Sequence, residues 1–186
     1  MKKFIIFMIG AILSGCCSTN PNFYQPISIV SEEINFPKFK SNVLINQIFL
    51  PSIVSRLQIT TLGKNNFDIK IDEFNRWASQ PEKMLQNVVN ENLSKLLPNA
   101  IIENQTTFRK NYDYAVVIEF TEFGGRLDDI AYVKASYFIK NRVGKTVKSG
   151  KFNYTKEFEG GYDKYVEALS SLIGNLSIEI AKKLTN

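Results

Sequence analysis

Apolar positions recur along this chain with two different periods, and each change of period marks an element. "NVLINQIFL" (residues 42–50) is a dense apolar run stopped by Pro51, and the shorter "ISIV" (27–30) precedes it; both predict strands. "LQITTL" and "FDIKI" flank the turn residues "GKNN" and predict a hairpin. In its second arm Phe67, Ile69 and Ile71 alternate with Asp68, Lys70 and Asp72, the pattern of a sheet with one wet face. The period then lengthens. Met84, Leu85, Val88, Val89, Leu93, Leu96 and Leu97 fall on one helical stripe, Ser79 and Glu82 stand at capping-box spacing, Pro81 suits a first turn and Pro98 an end.

Three longer alternating runs follow. Tyr114, Val116, Ile118 and Phe120 share one face, as do Ala131, Val133, Ala135, Tyr137 and Ile139, and then Phe152, Tyr154 and Phe158. Their connections, "GGRLDD" and "NRVGK", have turn chemistry, so the three form an antiparallel meander. Beyond Gly160 and Gly161 a second helical stripe holds Tyr165, Val166, Leu169, Leu172, Ile173, Leu176, Ile180 and Leu184, with Lys182 and Lys183 in the last turn, where cations suit the helix dipole. Gly174 costs this helix about 1 kcal/mol relative to alanine, which predicts a close approach of helix to sheet. The expected architecture is α+β: one mostly antiparallel sheet with two amphipathic helices packed on one face, in a single domain.

Composition supports a real core and removes several chemistries. The 186 residues are 44% hydrophobic and 12% aromatic, enough for one well-packed domain. The formal charge of +5 comes from 23 Lys and Arg scattered among 18 acids, a solvated surface, so no nucleic-acid partner is expected. Histidine is absent from the sequence, which removes the commonest general base and transition-metal ligand; no metal or cofactor is expected. "GKT" at Gly144–Thr146 lacks the first glycine of a P-loop and joins two strands, so it reads as a turn. The acidic pairs Glu32–Glu33, Asp72–Glu73 and Asp128–Asp129 fall at loops or strand ends and read as solvated turns rather than acid–base dyads. Serines lack a nucleophile-elbow context, leaving a lysine-activated serine as the open route to catalysis. No enzymatic activity is expected. Trp77 has two readings: a staple holding the loop before the first helix to the core, or, with Arg76, an exposed pair of the kind enriched at interfaces.

The amino-terminal end concerns location. Lys2 and Lys3 precede the apolar run "FIIFMIGAIL", too short to span a bilayer comfortably, and Ser14 and Gly15 follow, as in an export leader. Cys16 and Cys17 are the only cysteines. Adjacent Cα atoms stand about 3.8 Å apart, below the usual disulfide range, and a zinc site lacks further Cys or His ligands. "LSGC" resembles the bacterial lipobox. That resemblance implies a leader over residues 1–15, cleaved to leave Cys16 lipidated, with residues 16–26, polar and proline-bearing, as a flexible tether and 27–186 as the folded domain. Cys17 then takes the second mature position, where an aspartate commonly signals inner-membrane retention, so the resemblance implies the periplasmic face of the outer membrane. Several acyl chains anchor stably where one binds reversibly.

"INQIFLPSIVSRLQITTL" followed by "FDIKIDEFNRWASQPEKMLQNVVNENLSKLL" resembles the PqiC-like auxiliary lipoproteins that accompany MCE-type transport systems. The chain keeps Leu50, Pro51, Arg56, Gln58, Ile59, Arg76, Trp77 and Ala78 of that pattern and departs at Ser55, Leu57, Ser79 and Gln80. "YDKYVEALSSLIGNLSIEIAKKL" resembles the family's last helix, so the similarity spans most of the exported chain. The resemblance implies a non-enzymatic subunit, anchored in the membrane through Cys16, that docks on an MCE-domain protein of a lipid transporter and forms a homo-oligomeric ring. Arg56, Arg76 and Trp77 are then the interface candidates. A structural lipoprotein assisting another envelope complex is the alternative.

Overall fold

The computed structural model describes residues 20–65, 67–104 and 112–186. Among these residues eight strands and two helices follow in the order β1 (Asn22–Tyr24), β2 (Asn42–Phe49), β3 (Gln58–Leu62), β4 (Ile69–Trp77), α1 (Pro81–Leu96), β5 (Ile101–Asn104), β6 (Tyr114–Arg126), β7 (Ile130–Asn141), β8 (Thr146–Glu157) and α2 (Gly161–Thr185). Where one sheet is expected, there are two: β1-β4-β3 and β5-β2-β6-β7-β8. The long ladders, β6 with β7 and β7 with β8, are antiparallel as the meander requires, and so is the β3–β4 hairpin. The shorter pairings of β2 with β5 and β6, and of β1 with β4, are parallel. The fold is thus α+β and mostly antiparallel, in a single domain. Among the described residues no helix is long and apolar enough to cross a membrane.

The core lies between the five-stranded sheet and the two helices. Val116, Ile118, Ala131, Val133, Ala135, Ile139 and Phe152 from the meander meet Leu85, Val89, Leu93 and Leu96 of α1 and Leu169, Ile173, Leu176 and Ile180 of α2, all buried. α1 packs on β2 and β5, α2 on β7 and β8, and the helices touch each other. One polar contact interrupts their apolar seam: buried Asn92 donates through Nδ2 to Ser177 Oγ at 3.1 Å, and Ser177 donates to Ile173 O at 2.8 Å.

Several local expectations change. Ser79 does not cap α1; the helix begins at Pro81, Gln80 occupies the cap position, and the Glu82 carboxylate instead accepts from the Ser55 hydroxyl. Asn22–Tyr24, inside the stretch read as tether, is a strand on β4, while residues 27–30, read as a strand, join no ladder. That segment is a strap over the helices. Ile27 N–H donates to Ser170 Oγ (3.2 Å), Lys95 Nζ donates to Ser28 Oγ (2.9 Å), and Phe36 N–H donates to the last-turn carbonyl of Leu96 (2.7 Å). Gly174 serves this strap rather than the sheet: a Cβ there would stand 1.9 Å from the Ile29 carbonyl oxygen. In "GGRLDD" both glycines continue β6, with Gly125 opposite Ala131, and the turn narrows to residues 127–129. Its Asp128 carboxylate receives the Gly160 and Gly161 N–H groups at 3.0 and 2.6 Å and so caps α2, whose N-cap Gly160 takes φ +118°.

The β3–β4 hairpin departs most from its pattern. Phe67, Ile69 and Ile71 are all exposed; the start of β4 is paired with β3 on one edge only, β1 joining at Asn75.

Candidate functional site

The residues carrying the sequence resemblance converge on one corner, where the loop after β2, the end of β4 and the start of α1 meet. The backbone builds it: Trp77 N–H donates to Leu57 O (2.7 Å), Ala78 N–H to Tyr24 O (2.8 Å), and Met84 N–H to Gln80 O (3.1 Å). Gln58 stands opposite Arg76 across the ladder, and the next pair is Ile59 with Asp72, so residues 73–75 bulge out of β4. Asp72 shapes the bulge by accepting from the N–H groups of Phe74 (2.8 Å) and Asn75 (2.9 Å).

Arg76 and Trp77, neighbours in sequence, part in space. Trp77 is 4% exposed and its ring faces Phe123 at 6.4 Å, the place of a staple against the core. Arg76 reaches the surface, donating from Nε to Glu73 O and from Nη2 to Glu73 Oε2, both 3.0 Å. Gln58 Nε2 donates to the same carboxylate at 3.2 Å, and Gln58 and Arg76 hold Glu73 below the usual carboxylate range. Arg56, partly buried in the preceding loop, has a buried Nε with no hydrogen-bond partner among the described residues. Around these groups Phe23, which lies opposite Arg76 in the β1–β4 register, Leu57 and Phe49 are exposed. The corner thus presents apolar side chains beside the Arg76–Glu73 ion pair. Cys16 and Cys17 lie outside the described residues.

Sequence reasoning singles out Arg56, Arg76 and Trp77 as contacts, and meets Ser55 and Gln58 only as positions of the family pattern and Glu73 only as half of an acidic pair. Glu73 joins the ladder partners only because the bulge turns it back, a geometry with no periodic signal. The positions that depart from the family pattern fall in the same corner: Ser55 meets Glu82, and Leu57 and Gln80 supply carbonyls.

Glu32 and Glu33 lie in an exposed turn, as expected, whereas Asp72–Glu73 and Asp128–Asp129 are spent on structure. Burial raises the pKa of Asp72, but the hydrogen bonds from Asn75, Tyr162 (2.8 Å) and the two backbone amides outweigh it and hold the carboxyl below its usual range. Burial and this carboxylate push the Tyr162 phenol well above its ordinary value. Asp113, on the far side of the fold, is likewise lowered, by the Asn42 N–H (2.9 Å) against some burial and by Arg142 (2.7 Å). A carboxylate depressed in the folded chain adds stability fully present above its unfolded pKa of about 4 and lost as pH falls through the folded value. Melting temperature is therefore expected to drop between about pH 5 and about pH 2. Asp72→Asn, measured over the same range, should be less stable than wild type near neutrality and show a shallower drop. Two lysines touch serines, Lys156 to Ser171 and Lys95 to Ser28, both at 2.9 Å and both between exposed ammonium groups and hydroxyls at the surface.

The PqiC intermembrane transport lipoproteins of Escherichia coli K12 and Shigella flexneri are each 26% identical to this chain, over 99% of its length and 98% of theirs. The fold is similar to that of XCC0632 from Xanthomonas campestris, with a TM-score of 0.71 and 13% identity across 86% of this chain and 92% of that one. Residues 34–181, which hold both helices almost whole, both sheets apart from β1, and the Arg56–Arg76 corner, match the family described as the ABC-type transport auxiliary lipoprotein component, and the chain belongs to that family.

Proposed function

We propose that this auxiliary lipoprotein serves an MCE-type intermembrane lipid transport system and works by tethering and docking. Cys16, lipidated after cleavage of the leader, holds the domain to the periplasmic face of the outer membrane, and the Arg56–Arg76 corner contacts an MCE-domain protein of the transporter. The observation that carries this reading is similarity along nearly the whole chain to proteins named for intermembrane transport. The corner supports it, since it sets the exposed side chains of Phe23, Leu57 and Phe49 beside the Arg76–Glu73 ion pair. The same surface fits contacts between copies in a ring. Trp77 contributes from behind, by fixing the backbone that presents Arg76.

The test is affinity capture of the tagged, full-length chain from detergent-solubilised envelopes of the organism that makes it. An MCE-domain protein is expected among the recovered partners, and Arg76→Glu is expected to deplete it while leaving the melting temperature nearly unchanged, because an exposed ion pair contributes only about 0–1 kcal/mol. Recovery of the subunits of a different envelope assembly, without an MCE-domain protein, supports instead a structural lipoprotein that helps build that assembly.

A further inference from the structure

The β3–β4 hairpin carries side chains that the docking corner does not use. Phe67 at its tip is 95% exposed, and Ile69, Ile71 and Phe74 follow it along β4, all exposed. Ile71 and Phe74 line an open cleft of about 700 Å³ together with Lys64, Lys70, Asp72 and Glu73, the two carboxylates being already engaged by Asn75 and Tyr162 and by Gln58 and Arg76. Both lysines are exposed, and the one nearby tip carboxylate, Asp68, folds back over Gly63, where a Cβ would meet its Oδ2 at 2.3 Å. An apolar row flanked by cations is an unusual thing to leave in water.

The direction of β1 says what lies in front of it. β1 is parallel to the end of β4, with Asn22 beside Asn75, so its amino end points back toward the start of β4. From Ile69 to Asn75 β4 spans at most about 20 Å. Cys16 precedes Asn22 by six residues, a reach of at most about 20 Å. A lipid attached at Cys16 thus keeps the bilayer within reach of the hairpin end of β4.

We infer that the β3–β4 hairpin is a membrane-contacting tip: Phe67, Ile69 and Ile71 enter the boundary between headgroups and acyl chains, and Lys64 and Lys70 meet lipid phosphates. This rests on the anchoring of Cys16 proposed above. It follows the rule that a surface-bound element buries aromatic and aliphatic groups shallowly while cations stay at headgroup level. It also orients the domain, since Phe67 just precedes β4 and Arg76 lies near its other end; the membrane holds one end and the docking corner stands off at the other.

The test uses the full-length lipoprotein, purified in detergent and reconstituted into vesicles of phosphatidylethanolamine and phosphatidylglycerol. Phe67→Trp reports on the tip, because the native Trp77 is buried and gives a constant background. The added indole is expected to shift its emission to shorter wavelength on reconstitution and to be quenched by lipids brominated on their acyl chains. Ile69→Trp should report the same at lesser depth, and Asn99→Trp, at an exposed turn away from the hairpin, should report neither. An indole at position 67 that stays fully quenchable by aqueous iodide in vesicles overturns the inference. So does one that becomes shielded in lipid-free detergent as protein concentration rises, which assigns the tip to a second copy. Failure of the anchor is read separately: the intact mass of the wild-type mature protein lacks the acyl chains, whatever the indole reports.

Discussion

Trp77→Ala is expected to destabilise the domain by about 3–5 kcal/mol, the cost of removing a large buried aromatic side chain and leaving a cavity. The ring is buried against Phe123, and its own amide is tied to the Leu57 carbonyl, so the side chain fixes the loop before β3 and the end of β4 relative to the larger sheet. Denaturant titration measures the loss directly, and capture of partners by the same variant adds the functional half. Because the backbone that carries Arg76 loosens with Trp77, partner recovery should fall together with stability. A variant that keeps wild-type stability yet loses its partner would mean that the tryptophan meets the partner itself and that its packing in the monomer matters little. Arg76→Glu is the complement: little stability lost, much recovery lost.

Gly174→Ala is the second large effect. In an open helix the substitution stabilises by about 1 kcal/mol. Here the new methyl group would stand 1.9 Å from the Ile29 carbonyl oxygen, a backbone atom that cannot swing aside. The strap must lift, and the bonds from Ile27 to Ser170 and from Lys95 to Ser28 lengthen with it. Overpacking of this kind costs about 1–3 kcal/mol, so the net sign is destabilising. Hydrogen exchange should show the damage concentrated in residues 27–30, with the meander still protected. Wild-type exchange rates in that segment, or a gain in melting temperature, would show that the strap does not rest on the helix as described.

These residues also mark how far the sequence could be read. The meander and both helices were legible because each buries one face, and the periods of Val116 to Phe120, Ala131 to Ile139 and Tyr165 to Leu184 register that burial directly. Neighbours across a sheet leave no such trace. Nothing in "NVLINQIFL" distinguishes a strand lying parallel between β5 and β6 from one at an edge, and the split into two sheets follows from that choice. "ISIV" is apolar because it covers helices; a strap and a strand bury the same residue types. Gly174 correctly signals a close approach, but a missing Cβ cannot name the surface that fills its place. At the candidate site, the resemblance located Arg56, Arg76 and Trp77, whereas the turn at Asp72 that brings Glu73 to Arg76 depends on an irregularity that periodicity cannot express. The alternation of Phe67, Ile69 and Ile71 was real, yet it measured amphipathicity rather than depth in the protein.

The parallel pairing of β1 with β4 has a mechanical consequence. A pull on the amino-terminal end runs along the axis of β1, so the bonds to residues 75–77 are loaded in shear, together, rather than peeled one after another as at the open end of a hairpin. Behind them the strap passes the load to Ser170 on one helix and to Lys95 on the other. A pull on that end would thus be resisted by the whole β1 ladder at once, and through the strap it would be shared with both helices.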